Sequence, residues 1–291
     1  MKKFLSNFIK FFSKKENDKT IIVPSIGERR SPSYGDELIC ARYFYSDDES
    51  KWVDLNIPTR GPIGVWMSGG VDSTLLTFLL AKTIKDYDLN IKILPISFKR
   101  DVKPWNLSVS TNLVDKIKNI LDVNCFLNHH YCNFGNTEDP EHNKKTSRHA
   151  QWLKENKIVT IIYNGTTSYP NPLPDELNSK MESRRSSTVD ELLNRSGLSE
   201  NEAAEYIISM PFRFVDKKTV SYFYNKFNLL ESLLPYTRSC ESFMKDTDFF
   251  KKSCGECYWC KERQWAFSDY DVDALQHIRP SRAIIKACQS L

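Results

Sequence analysis

A chain of 291 residues, 40% of them hydrophobic, is long enough for one large domain or two modest ones around a real core. Lys and Arg number 41 against 37 Asp and Glu, and a net charge of +4 is too small to argue for nucleic-acid binding by composition. No apolar run is long enough to span a bilayer, and four of the eight cysteines crowd between Cys240 and Cys260, which points to a reducing cytoplasm and a metal rather than a disulfide framework.

The chain opens on MKKFLSNFIKFFSKK, which has the lysines of a secretory leader. Asn7 and Lys10 interrupt its apolar stretch and no small-residue cleavage site follows, so export is rejected. On a helix, Phe4, Leu5, Phe8, Ile9 and Phe12 share a face. Such a helix could suit a membrane surface or a partner groove, but a leader or a helix docked on its own domain is preferred. Residues 1–60 are read as an N-terminal extension carrying this amphipathic helix.

From residue 61 strands and helices alternate. A strand over residues 64–67 runs into SGG, and a helix over 73–85 turns Leu75, Phe78, Leu79 and Thr83 inward. Strands follow at 91–98, 123–127 and 158–163, with helices at 108–121 and 146–156. Ile- and Val-rich strands separated by helices predict an α/β fold with a parallel sheet covered on both faces. His129 and His130 are adjacent, and neighbours on a strand point to opposite faces, so each is expected as a single imidazole rather than half of a joint chelate. Beyond Gly165, SYPNPLPDEL is turn chemistry and MESRRSS is polar. Helices are expected at 189–195 and 199–207, where Ser199 and Glu202 form a capping box. The expected organisation is a nucleotide-binding domain over 61–235, with an insertion near 170–205, and a cysteine-rich segment over 236–291.

The stretch VWMSGGVDST, residues 65–74, carries the sharpest chemistry. Gly69 and Gly70 let the backbone turn tightly and approach a ligand, and the helix that follows points amide donors at the turn. Ser68, Ser73 and Thr74 add hydroxyls, and Asp72 can hold a magnesium ion whose other ligands are phosphate oxygens. The spacing is neither that of a Walker loop nor that of a GxGxxG dinucleotide turn. Ligands of parallel sheets sit beyond the carboxyl ends of the strands, where this loop falls.

A second site is expected in CGECYWC. Cys254, Cys257 and Cys260 recur at two-residue gaps and Cys240 is a plausible fourth thiolate. Four thiolates suit zinc or an iron–sulfur cluster. Zinc is preferred because nothing else indicates redox chemistry, and a closed four-thiolate shell makes it structural.

SGGVDS after a buried strand resembles the pyrophosphate loop (PP-loop) of the N-type ATP pyrophosphatases, which split ATP between its α and β phosphates. That resemblance implies an adenine nucleotide alpha hydrolase-like, Rossmann-like domain. It also implies that Ser68, Gly69, Gly70, Val71, Asp72, Ser73 and Thr74 bind ATP and its magnesium. Residues 210–218, then Thr237-Arg238-Ser239-Cys240, then CGECYWCKERQWAF resemble 7-cyano-7-deazaguanine synthase in order and character, over most of residues 61–270. The implied reaction adenylates the carboxylate of 7-carboxy-7-deazaguanine for attack by ammonia, giving an amide and then a nitrile.

Lys217 matches the family's helix-opening lysine and would approach the phosphates or the adenylate, its competing reading being a solvated lysine beside Lys218. Arg263 is expected to pair with a surface acid rather than to touch substrate. Phe98-Lys99-Arg100-Asp101 stands where the family has Asp-Tyr-Gly-Gln, and Tyr258-Trp259 replaces Asp-Ser, so the reaction class carries over further than the substrate. Alternatives are a relative that joins a deazaguanine to a protein or another acceptor, a PP-loop tRNA-modifying enzyme, and a non-catalytic nucleotide-binding module. The family also implies a homodimer; the chain carries no strong nucleic-acid signal.

Overall fold

The structure is a computed structural model, which describes residues 21–22, 38–47, 49–99, 105–133, 142–170, 174–178, 208–241, 253–270 and 272. In chain order its strands are β1 (Ile21–Ile22), β2 (Leu38–Phe44), β3 (Trp52–Pro58), β4 (Ile63–Trp66), β5 (Ile93–Lys99), β6 (His130–Asn133), β7 (Ile162–Tyr163) and β8 (Ile208–Ser209). Its α-helices are α1 (Val71–Asp86), α2 (Asn106–Leu121), α3 (His142–Glu155), α4 (Asp175–Asn178), α5 (Lys217–Lys226), α6 (Leu229–Ser232) and α7 (Tyr258–Phe267). The predicted helices at 4–12, 189–195 and 199–207 lie outside the described residues.

β4 to β8 form a five-stranded sheet in the order β6-β5-β4-β7-β8, parallel throughout. The molecule is thus of the α/β class, with a parallel sheet and a C-terminal four-cysteine cluster. The order reverses at β4, because β5 lies on one side of it and β7 on the other. A crevice opens at that switch point, above the carboxyl ends of the two strands. α1, α2 and α5 pack with Ile63, Val65 and Ile93 on one face of the sheet. α3 covers the other, through Ala150 and Leu153 on Leu94, Ile96 and Ile162.

Two predicted strands are corrected. Residues 123–127 supply only a bridge from Phe126 to Ile93, and the third strand is β6, whose ladder runs Ile96 to His130 and Phe98 to Cys132. An edge strand has one neighbour and needs fewer apolar residues, so the more apolar VNCFL was the wrong choice. The run 158–163 narrows to Ile162–Tyr163.

Residues 38–58, for which no strands were expected, form an antiparallel hairpin that registers Ala41 with Leu55 and Tyr43 with Val53. Ala41, Tyr43, Val53, Leu55 and Ile57 join the same core as α1. The Tyr43 hydroxyl meets Leu79 O at 3.2 Å and Thr83 Oγ1 at 2.6 Å, and the Tyr163 hydroxyl donates to Asn56 O, fixing the hairpin to both α1 and β7. Facing outward, Arg42 pairs with Asp54 at 2.8 and 3.0 Å and lies 4.3 Å over the Trp52 ring.

With sheet, hairpin, α2 and α5 around it, α1 is buried along almost its whole length, from Val71 and Ser73 through Leu80 to Ile84. Its buried hydroxyls need acceptors and find them one turn back: Thr74, Thr77 and Thr83 donate to Gly70, Ser73 and Leu79 at 2.7 to 2.8 Å.

His129 lies just before β6 and turns toward the loop rather than toward α3. Ser97 Oγ donates to Met67 O at 2.6 Å, so its single hydrogen is used and His129 Nε2, 2.9 Å away, is the donor to Ser97 Oγ. Burial pushes the His129 pKa down from 6.5 to about 4. Above pH 6.5 the ring is neutral in both folded and unfolded chain. As pH falls from 6.5 toward 4 the unfolded chain takes up a proton that the fold refuses, so stability falls by about 2–3 kcal/mol. Denaturant melts across this window are expected to show that loss, and His129→Gln should remove its share of the slope, while His130 and His149, also lowered by burial, keep theirs.

Candidate active site

β4 delivers the chain to the crevice at Met67, whose carbonyl is held by both Ser97 Oγ and Ser110 Oγ, the latter at 3.0 Å. Gly69 then takes φ +80°, and a Cβ there would lie 2.9 Å from Val109 Cγ1, so the position admits glycine for both conformation and space. Gly70 caps α1 without a side chain, and Val71 to Thr74 make its first turn. Ser68 Oγ and Ser73 Oγ are 3.0 Å apart and tie the two ends of the loop together. The carbonyl of Gly69 accepts from the Arg238 amide at 2.6 Å, and Ser239 Oγ accepts from the Val71 amide at 3.4 Å. The loop is therefore held from β5, from α2 and from the segment before Cys240.

Gly165 presses against the first turn from β7's side. A Cβ there would fall 2.8 Å from Asp72 C and Ser73 N, both backbone atoms that cannot rotate away. Gly165→Ala is expected to cost about 1–3 kcal/mol by overpacking, read as a lowered urea midpoint, and to weaken nucleotide binding by displacing the helix start.

Ser68, Gly70, Asp72, Trp105, Asn106, Lys217, Arg238, Ser239, Glu241 and Trp259 line a cleft of about 170 Å³ above the loop. Lys217 opens α5, where the Asp216 carboxylate caps by accepting from the Lys218 and Thr219 amides. It is not the solvated lysine of the competing reading: its side chain is 1% exposed, and its ammonium sits 3.1 Å from Asp72 Oδ2 and 2.7 Å from Glu262 Oε2. Glu262 is itself fully buried and takes a further hydrogen bond from the Tyr258 hydroxyl at 3.2 Å. One cation between two carboxylates leaves that trio net negative, and Arg238 on the other wall of the cleft supplies a balancing cation.

Arg238 stacks on Trp105 at 4.6 Å and its burial pushes the guanidinium down to about 10. Trp259 faces Lys217 at 5.6 Å. Asn106, on the cleft lining, is 6% exposed, and its buried Oδ1 meets no hydrogen-bond donor among the described residues. Buried acceptors are rarely left so, and this one marks where a ligand donor would be welcome.

Cys240, on the lining of the cleft, converges with Cys254, Cys257 and Cys260, all four sulfurs lying within 4.8 Å of one another. Gly255, at φ +74°, turns the chain between the first two of the CGEC run, and Cys257 caps α7 so that Cys260 lies one turn along. Amides of Glu256 and Cys257 point at Cys254 Sγ at 3.4 and 3.3 Å, as expected around a thiolate. The Cys254 and Cys260 sulfurs are 3.9 Å apart, close to the edge of about 3.8 Å that a tetrahedron with 2.3 Å metal–sulfur bonds requires. Without a cation, hydrogen bonding to Cys240 pushes the Cys257 thiol up to about 11 and Cys260 higher still. The four sulfurs can hold one metal ion.

Arg263 is corrected. It is 1% exposed, and donates to Thr237 O, Thr237 Oγ1 and Leu234 O at 2.9 to 3.1 Å, so it braces the turn before Arg238 instead of pairing with a surface acid. Trp105, Asn106, Glu241, Trp259 and Glu262 were missed as site residues. Trp259 alone carried a signal, an aromatic inside the cysteine run. Within SYPNPLPDEL, Tyr169 packs edge-on against Tyr258, and Asp175 is exposed on α4.

No family model matches this chain, and no curated protein does. Among solved structures, the U34-tRNA thiolase NcsA from Methanococcus maripaludis with its [4Fe-4S] cluster is similar over 74% of this chain and 73% of that one, at 14% identity and a TM-score of 0.39. A likeness that loose fixes neither activity nor metal. No described helix is long and apolar enough to cross a membrane.

Proposed function

We propose that the chain is an ATP-splitting enzyme of the PP-loop type, which releases pyrophosphate and activates a carboxylate as its adenylate. The observation that carries this is the pairing of Lys217 with Asp72 at the mouth of a glycine loop and helix start, above the switch point of a parallel sheet. On this reading the first-turn amides of α1 and the Ser68 and Ser73 hydroxyls receive the departing pyrophosphate. Glu262 anchors Lys217 from its buried side, so the ammonium can turn from Asp72 to a phosphate oxygen without leaving that partner. Asp72 would then hold magnesium, which neutralises charge building on the phosphates.

The acid is proposed to be a flat heteroaromatic, 7-carboxy-7-deazaguanine or a close relative. Trp259 supplies an aromatic wall, Arg238 stacked on the buried Trp105 a second flat side chain, and the Asn106 amide would accept from a ring or amino N–H. Ammonia or another amine would attack the adenylate, displacing AMP and leaving an amide, and a second adenylation would allow dehydration to the nitrile. A protein or other amine as final acceptor stays within the same chemistry. Zinc is proposed for the four cysteines, with a structural role, since four thiolates leave no open position.

The test incubates the protein with ATP, magnesium, ammonium and 7-carboxy-7-deazaguanine, and reads nucleotides and bases by mass spectrometry. AMP, pyrophosphate and the amide or nitrile are expected together, with Asp72→Ala lowering AMP formation about 10²–10³-fold. ADP as the product would overturn the reading. AMP that depends on added tRNA and not on the acid would remove the deazaguanine assignment.

A further inference from the structure

His130 and Cys132 stand two residues apart on β6, so both project to the face of the sheet that their ladder partners Ile96 and Phe98 share, the face that α3 covers. α3 brings His149 opposite them. His130 Nε2 and His149 Nε2 are 2.9 Å apart, the rings lie within 7° of parallel, and the ligand atoms of all three residues fall within 4.8 Å of one another. We propose that His130, Cys132 and His149 form a second metal site, a two-imidazole, one-thiolate set for a borderline-soft divalent ion of the zinc class. It shares no residue with the four-cysteine cluster and no strand or helix with the cleft's loop.

The donor set and the spacing argue together. Zinc bonds of about 2.0–2.1 Å to nitrogen and 2.3 Å to sulfur imply tetrahedral edges of about 3.3 Å between nitrogens and 3.6 Å from nitrogen to sulfur. The two imidazoles need to part by only a few tenths of an ångström to meet that, a small turn of side chains that are partly exposed. Trp152 stacks on His149 at 5.5 Å and holds that ring's orientation, as outer partners of metal ligands do. Leu94, Ile96, Ala150 and Leu153 make an apolar floor around Cys132, which is 5% exposed.

Charge states agree with the geometry. Burial lowers the pKa of both His130 and His149, which keeps their lone pairs available at neutral pH. Burial also pushes the Cys132 thiol up to about 12, so it stays protonated until a cation arrives. Binding then exchanges that proton for the metal: the S–H bond breaks, the S–metal bond forms, and the proton leaves to water. Three protein ligands leave a fourth position for water or another small ligand, in contrast to the closed four-thiolate shell.

The test uses the full chain, reduced, stripped of metal and reloaded with Zn(II) alone, with zinc counted per chain. The expected result is one zinc per chain more in wild type than in His149→Gln, a difference that holds whatever the four cysteines carry. His130→Gln, also at a partly exposed position, should lose the same single ion. With Co(II), the difference spectrum of wild type minus His149→Gln should show tetrahedral bands and the charge-transfer band of a single thiolate. Equal zinc in wild type and both variants would overturn the site and leave the histidines as a hydrogen-bonded pair over a core cysteine. Neither outcome depends on ATP turnover, so the site and the proposed enzyme stand or fall separately.

Discussion

Lys217→Met is expected to lose about 3–5 kcal/mol of stability, because it strands the fully buried Glu262 carboxylate without its cation. Loss of activity in that variant alone would say little, since unfolding explains it. The informative protein is Lys217→Met combined with Glu262→Gln, which removes both charges of the buried pair. Denaturant melts of the double variant should recover most of the lost stability. AMP formation should remain about 10²–10³-fold below wild type, because no ammonium is left to meet the phosphates. If the double variant recovers both stability and turnover, Lys217 is a structural charge and its catalytic role is wrong.

Cys260→Ser is expected to empty the four-cysteine site and to weaken ATP binding together. Cys240 follows Arg238 and Ser239, whose backbone amide and hydroxyl hold Gly69 O and the Val71 amide, so the sulfur cluster anchors one wall of the cleft. Ligation free energies of about 10–16 kcal/mol in small zinc peptides show how much ordering such a site can drive. Arg263 and Phe267 keep α7 docked independently, so the sheet should stay folded while residues 238–241 and 253–260 loosen. Metal analysis, hydrogen exchange over those residues and nucleotide titration check this. Undiminished ATP affinity in a metal-free, folded protein would break the link between cluster and cleft.

The loop and the cysteine box were legible in the sequence because their chemistry is local: glycines, hydroxyls and thiols a few residues apart must meet whatever the rest of the chain does. The parallel sheet followed from apolar runs between helices. What failed was whatever depends on burial. Glu262 and Arg263 look like the polar side of a surface helix, and only the packing of α7 on α5 and α4 turns them inward. The hairpin over β2 and β3 escaped because Arg42, Asp54 and Asn56 interleave with its apolar residues. That alternation is itself the mark of a strand with one wet face. His130, Cys132 and His149 were out of reach, since the imidazole that completes the set arrives from a helix and the sequence shows only the adjacent pair at 129 and 130.

The enclosure of α1 has a thermodynamic meaning for ligand capture. A helix walled in along almost its whole length, with Gly165 against its first turn and the Tyr224 hydroxyl on Val71 O, has little freedom left to surrender when an anion docks at its start. The amides are set in advance, and the entropy lost on binding falls on the nucleotide and on the wall beyond Thr237. Tight and loose binding would then be governed by that wall and not by the loop that touches the phosphates.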